Sequence, residues 1–218
     1  MSERRGGAAL PAIIPIFPLP GVLLLPRGRL PLNIFEPRYL AMTRDALAAE
    51  RLIGMVQPSD PAAEGDNPPV YPIGCAGRIT SFTETEDGRF LITLSGISRF
   101  RIREELPLHE GYRRVAPDWD AFARDLGNEE EPGFDRERLM RALKGYFQQH
   151  QISADWDAIT AVSGERLVTS ISMICPFDPS EKQALLEAPD QAERARLLTA
   201  IVEMALVQPP NEGTGARH

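Results

Sequence analysis

The sequence predicts an α+β chain, β structure in its first half and helices in its second. Three observations carry this. Apolar residues alternate at period two through Phe90, Ile92 and Leu94, then recur at helical spacing through Leu139, Leu143 and Tyr146/Phe147. The change of period falls at a charged, Pro-Gly segment, Glu129-Glu130-Glu131-Pro132-Gly133. A length of 218 residues is enough for two units that each bury a core.

The elements follow in order. Residues 1–12 read as a flexible N-terminus. Ile13–Phe17 is a short apolar run suited to a first strand. Val22–Leu25 is a second run, with Pro20 and Pro26 favouring edges and turns. Pro37 opens a helix over 37–49 at the position where its missing N–H is harmless, and Leu40, Thr43 and Leu47 mark its inward face. Leu52–Val56 is a compact buried strand, and the proline-rich, acidic residues 58–69 form a solvated loop. Arg78–Thr85 and Arg89–Leu94 are joined by Asp87-Gly88, a dipeptide suited to a two-residue hairpin with positive φ at both positions. A further strand runs over Ile97–Arg103, with Ser98, Phe100 and Ile102 on one face and Arg99, Arg101 and Arg103 on the other. Tyr112–Val115 closes the sheet.

The β region therefore spans 13–120, a linker 121–133 and a helical bundle 134–207. In the bundle Trp156, Ile159 and Val162 begin a stripe that Leu167, Ile171 and Ile174 continue, and Pro176 ends it. Asp178-Pro179-Ser180-Glu181 has the form of a capping box, and Asp190 with Glu193 repeats it for a last helix. Residues 208–218, with two prolines and two glycines, read as a disordered tail.

Composition excludes several functions. Residues 1–118 balance 14 basic against 14 acidic groups, and residues 119–218 hold 10 against 17, so the second half carries the whole charge of −7. That argues against broad nucleic-acid binding. Only Lys144 and Lys182 are lysines, and neither lies in a glycine-rich loop followed by Ser or Thr, which excludes a Walker A motif. Cys75 and Cys175 stand 100 residues apart in no CxxC, so a structural zinc site has no support. The pair could form a disulfide, but buried thiols in a reducing compartment are the better reading. The prolines at 11, 15, 18 and 20 break the N-terminal apolar run as a signal helix. No other segment approaches the ~20 apolar residues of a membrane span. A cytoplasmic, cofactor-free protein is expected.

No constellation supports catalysis. His109-Glu110 reads as a solvated connection beside Pro107, and Ser95 and Ser98 lie in no nucleophile elbow. Asp155 and Asp157 suit capping.

Taken in order, Pro18-Leu19-Pro20 with Val22–Pro26, Leu32–Tyr39, Ile53–Val56, Ile73–Ile79, the Asp87-Gly88 turn, Gly96 with Arg99–Ile102, and Lys182–Glu187 followed by Arg194 and Leu197-Leu198 resemble a known family. It is the N-terminal, substrate-binding domain of Lon proteases, in the stand-alone bacterial form without the ATPase and peptidase modules. The likeness covers about residues 13–207. It implies a PUA-like β pseudo-barrel followed by a helical bundle, and a non-enzymatic role binding unfolded or exposed hydrophobic protein segments. Asn33 departs from the histidine common at that position, so no role is carried over there. A separate protease or chaperone is a further partner the acidic second half could dock, and the PUA likeness admits an RNA-binding alternative.

Two sets of candidate residues emerge. Phe17, Leu19, Leu24, Phe35, Pro37 and Tyr39 are turn-borne apolar residues suited to protein binding. Arg78, Arg99, Arg101 and Arg103, with Arg89, suit an anion or an acidic partner, against the simpler reading of a solvated face paired with Glu84, Glu86, Glu104 and Glu105.

The helical stripes are too apolar to stand free in water, since each exposed Leu or Ile forfeits roughly 1.5–3 kcal/mol of burial. A self-packed bundle of four or five helices, docked on the β unit, is expected. Limited proteolysis should cut first near residues 125–133 and leave two resistant fragments. Rapid digestion of 134–207 to small peptides would show that the bundle has no core of its own.

Overall fold

The computed structural model of the chain describes residues 10–60, 65, 67–127 and 133–207. These divide after Gly127 into two compact units, one carrying the strands and one the helices of the bundle.

In the first unit six strands form one sheet: β1 (Ile14–Pro18), β2 (Arg29–Ile34), β3 (Leu52–Val56), β4 (Ile73–Glu84), β5 (Phe90–His109) and β6 (Tyr112–Asp118). The order is β2-β5-β4-β3-β1-β6, and β6 pairs back onto β5, so five strands close a barrel and β2 extends it. Every pairing is antiparallel except β1 with β3, where Ile16 lies opposite Gly54. Ile14, Ile16, Leu52, Val56, Ala76, Phe100 and Val115 fill the barrel. Trp119 packs edge-on against Phe100 at 5.7 Å, and its Nε1–H donates to the Pro11 carbonyl at 2.9 Å. The chain is therefore tied down from Leu10, two residues before the expected end of the flexible N-terminus; residues 1–9 lie outside the described residues.

Helix α1 (Pro37–Ala48) begins at its proline, as the sequence suggests, but buries Tyr39, Met42, Thr43 and Ala46. Leu40 and Leu47 flank that stripe, half-buried. The expected strand at Val22–Leu25 is absent. Leu23, Leu24 and Leu25 are buried without joining the sheet, because prolines at 20 and 26 interrupt any ladder there. The segment instead crosses Gly96: Arg27 N–H donates to the Gly96 carbonyl and Gly96 N–H to that of Gly28, both at 2.8 Å. A Cβ on Gly96 would lie 2.0 Å from the Leu25 carbonyl oxygen. The strand the sequence reading missed, β2, shows its signal in the alternation of Leu30, Leu32 and Ile34.

The expected strands 89–94 and 97–103 are one strand, β5, kinked by register shifts opposite Ala76/Gly77 and between Ile102 and Glu104. Its hairpin with β4 is longer than the dipeptide suggests. Thr85 N–H donates to the Arg89 carbonyl and Gly88 N–H to the Thr85 carbonyl. Gly88 has φ +80°, while Asp87 is not in the left-handed region. This is a three-residue loop ending in a left-handed glycine. Residues expected in a linker form a 3₁₀ helix at Asp120–Leu126; residues 128–132 lie outside the described residues.

The second unit holds five helices among the described residues: α2 (Arg136–Gln149), α3 (Trp156–Ala161), α4 (Gly164–Ile174), α5 (Pro179–Glu187) and α6 (Gln191–Val207). Asp135, Asp155 and Ser163 cap α2, α3 and α4 by accepting from the backbone N–H three residues on. The capping box of Asp178 and Glu181 opens α5. Leu139, Leu143, Leu167, Ile171, Leu185, Leu198 and Val202 build its core. Ile174, expected in the stripe, is 76% exposed. The buried face of α4 runs through Leu167, Val168, Ile171, Ser172 and Cys175, so residue 174 falls outside it. Cys75 and Cys175 are buried thiols in different units and form no disulfide, and burial pushes the Cys175 thiol up to about 12. The tail 208–218 lies outside the described residues.

The crossing at Gly96 makes a sharp test. Gly96→Ala drives a methyl into backbone that cannot move without breaking two hydrogen bonds, so it should cost about 3 kcal/mol or more, read as a lower midpoint in urea unfolding.

Candidate functional site

Beyond the barrel, β2, the first part of β5 and the last part of β4 form a three-stranded layer. Ile34, Phe90 and Glu84 lie opposite one another, as do Asn33, Leu91 and Thr83. Opposed residues share a face, so Ile34, Phe90 and Ile92 point into the core and Asn33, Leu91 and Thr83 point out. Leu91 is therefore an apolar residue on the outer face, 45% exposed. Phe35, one residue past β2, is 61% exposed, and the Arg89 guanidinium lies 6.0 Å from its ring centre. Phe82 belongs to the inner face but reaches its rim: it meets Phe90 at 5.0 Å and stays 41% exposed.

The sequence-predicted apolar residues divide. Phe17 and Tyr39 pack against each other with ring centres 4.2 Å apart, and both are buried, as is Leu24. At 6% exposure or less, none of the three presents a surface to a partner. Leu19 is half-buried, its N–H donating to the Val56 carbonyl. Phe35 and Pro37 are exposed. Leu91 and Phe82 were missed, although Leu91 shows in the sequence as an apolar residue at the outward parity of Arg89-Leu91-Thr93.

The arginines also divide. Arg99, placed by alternation on an open face, is buried. Its backbone N–H and Nε both donate to Asp125 Oδ2 at 2.9 Å, its Nη2 donates to Oδ1 at 2.9 Å, and its guanidinium lies 4.4 Å from the Phe122 ring centre. The 3₁₀ helix read as linker covers it, so Arg99 is not an anion site. Arg78 bonds the Glu50 carbonyl, while Arg101 and Arg103 remain exposed on β5. The bulge after Ile102 takes Arg103 out of the simple alternation. Among the acidic partners expected for this strand, Glu105 pairs instead with Arg113, bidentately at 2.6 and 2.7 Å.

A polar cluster sits elsewhere. Tyr112 Oη donates to Asp45 Oδ2 at 2.6 Å, and His109 Nε2 lies 3.5 Å from the same oxygen. Burial, then the bond to Asp45, pushes the Tyr112 hydroxyl well above its ordinary range, so it stays protonated. His109 thus ends β5 and does not lie in a polar loop; the turn is Glu110-Gly111, both at positive φ. The neighbouring cleft, about 130 Å³, is lined mainly by Ile13, Pro15, Ala46, Ala49 and Leu52. Asp45, Glu50, Tyr112 and Arg114 supply its polar groups. Among the described residues there is no cluster of His, Cys, Asp and Glu that could hold a metal, and no helix long and apolar enough to cross a membrane.

A PUA-like pseudo-barrel followed by a helical bundle is the architecture of Lon N-terminal domains. A Lon N-terminal domain protein from Xanthomonas campestris superposes with a TM-score of 0.60 at 21% identity, covering 86% of this chain and 97% of that one. The N-terminal domain of the Mycobacterium avium complex Lon protease gives 0.56 at 16% identity, covering 87% and 97%. The family model for the ATP-dependent protease La (Lon) substrate-binding domain matches residues 13–204, and the chain belongs to that family. Lon proteases of Elusimicrobium minutum and Dictyoglomus thermophilum are 26% and 25% identical to it over 205 and 197 residues, which is 88% and 87% of this chain. The chain spans about a quarter of the length of these curated relatives, 24% of each.

The buried Arg99–Asp125 pair carries its own expectation. Asp125→Ala takes from the buried Arg99 the carboxylate that accepts three of its hydrogen bonds and should cost about 3–5 kcal/mol; a thermal midpoint within a degree of wild type would show that the carboxylate holds nothing.

Proposed function

We propose that this chain recognises polypeptide substrates by binding unfolded or exposed hydrophobic segments, without transforming them. Two observations support the reading: the match to a substrate-binding domain over residues 13–204, and the outer sheet face bearing Phe35 and Leu91. Clustered exposed apolar residues on a monomer commonly mark binding sites, and Arg89 beside Phe35 supplies the mixed aromatic and guanidinium chemistry common at interface hot spots. The absence of a Walker A motif and of any nucleophile–base pair in the sequence is consistent with recognition alone.

The test is fluorescence anisotropy of labelled β-casein peptides titrated with the full chain. Binding is expected at micromolar concentrations. Phe35→Asp with Leu91→Asp should weaken it at least about tenfold, roughly 1.4 kcal/mol, with circular dichroism unchanged because both side chains already face water. No binding by tens of micromolar overturns the proposal.

A further inference from the structure

The two free edges of the three-stranded layer are not equivalent. β2 carries Pro31 at its centre and Arg29 at its start, both devices that discourage another strand from pairing. The edge of β4 carries neither. β3 accompanies β4 only as far as Leu52 opposite Arg78, with Ile79 N–H donating to the Arg51 carbonyl. Beyond Ile79, no strand among the described residues lies beside β4 on the side away from β5. The stretch Thr80-Ser81-Phe82-Thr83-Glu84 is exposed throughout, lacks proline and basic residues, and is rich in β-favouring side chains.

The backbone groups left over can be identified. Thr85 N–H donates to the Arg89 carbonyl, closing the hairpin. In an antiparallel ladder the bonded residues alternate, so Thr83 and Ser81 face β5 while the N–H and C=O of Phe82 and Glu84 point outward. The partner that matches an alternating row of N–H and C=O groups is another extended backbone. The Phe82 ring meets Phe90 edge-on at 5.0 Å and stays 41% exposed. At the far end, Glu84 and Glu86 form no ion pair among the described residues, whereas Asp87 pairs with Arg89 at 2.8 Å.

We infer that the β4 edge from Thr80 to Glu84 takes an extended segment of a client polypeptide by strand addition. The added strand pairs with the backbone of Phe82 and Glu84 and covers the exposed part of the Phe82 ring. It also continues the outer row of Asn33, Leu91 and Thr83 by one strand. Glu84 and Glu86 select a segment with a lysine or arginine beside its apolar residues. Strand addition of this kind draws affinity from main-chain bonds and selectivity from alternate side chains. That suits a surface that must accept many sequences. The inference rests on the proposed function and specifies how that recognition occurs.

The β-casein peptide that binds best in anisotropy serves as the probe. Phe82→Pro and Glu84→Pro each delete an outward N–H and should weaken binding at least about tenfold, with the unfolding midpoint little changed. Thr83→Pro deletes an N–H that faces β5 and should lower the midpoint. The same peptide N-methylated at alternate residues gives a second reading that needs no folded variant. One methylation phase should abolish binding and the other preserve it. Binding that ignores both the prolines and the methylation phase overturns strand addition while leaving client recognition standing; no binding by any peptide removes both. An edge-to-edge dimer in sedimentation, dissolved by Glu84→Pro with peptide binding intact, would make a second copy the occupant and overturn the inference.

Discussion

The strand unit depends on one constraint: β5 serves three partners, and a strand has only two edges. β4 runs along one edge for most of its length. The other is shared in succession by β2 and β6. The exchange of partners requires a stretch where neither pairs, and the chain fills it by crossing Leu25–Gly28 over Gly96. The register shifts that flank the exchange increase local twist. That twist turns a flat three-stranded layer at one end into a closed barrel at the other. Gly96 sits where this geometry leaves no room for a side chain, and the barrel, the layer and the buried leucines at 23–25 all depend on that close approach.

The same region explains the electrostatics. A buried ion pair loses hydration that its Coulomb attraction repays only when the remaining hydrogen bonds are satisfied. Asp125 meets that condition by accepting from the backbone and two side-chain nitrogens of Arg99. It also anchors the 3₁₀ helix against the strand. Arg27 bonds the Gly127 carbonyl at the helix's end, at 2.7 Å. With Arg99 consumed internally, the supposed row of arginines loses one end and keeps Arg101 and Arg103 exposed.

What remains open is the layer beyond the barrel. Closing a barrel removes edges, so any strand that extends past it keeps one. The layer therefore concentrates both exposed apolar side chains and unpaired main-chain groups in one part of the unit. Leu91 is 45% exposed on its outer face. The proline in β2 restricts such pairing to the opposite edge. Exposed apolar side chains and an open edge thus lie together on the surface to which the proposed recognition is assigned.

By itself the sequence determined the α+β division, the helix opening at Pro37, the hairpin after Thr85, the alternation that buries Phe90, Ile92 and Leu94, and the caps at Asp155, Asp178 and Asp190. These depend on neighbours within a few residues, where φ restrictions and side-chain periodicity act. Of the proposed surface, Phe35 was legible, and Leu91 was visible as an apolar residue at outward parity. Tertiary structure alone decided that Phe17, Leu24 and Tyr39 are core, that Val22–Leu25 is buried without being a strand, and that Arg99 is covered by an aspartate 26 positions away. It also decided which strand edge stays open. Burial and strand pairing are set by which distant segments meet, and composition and period carry no information about the partner on the other side.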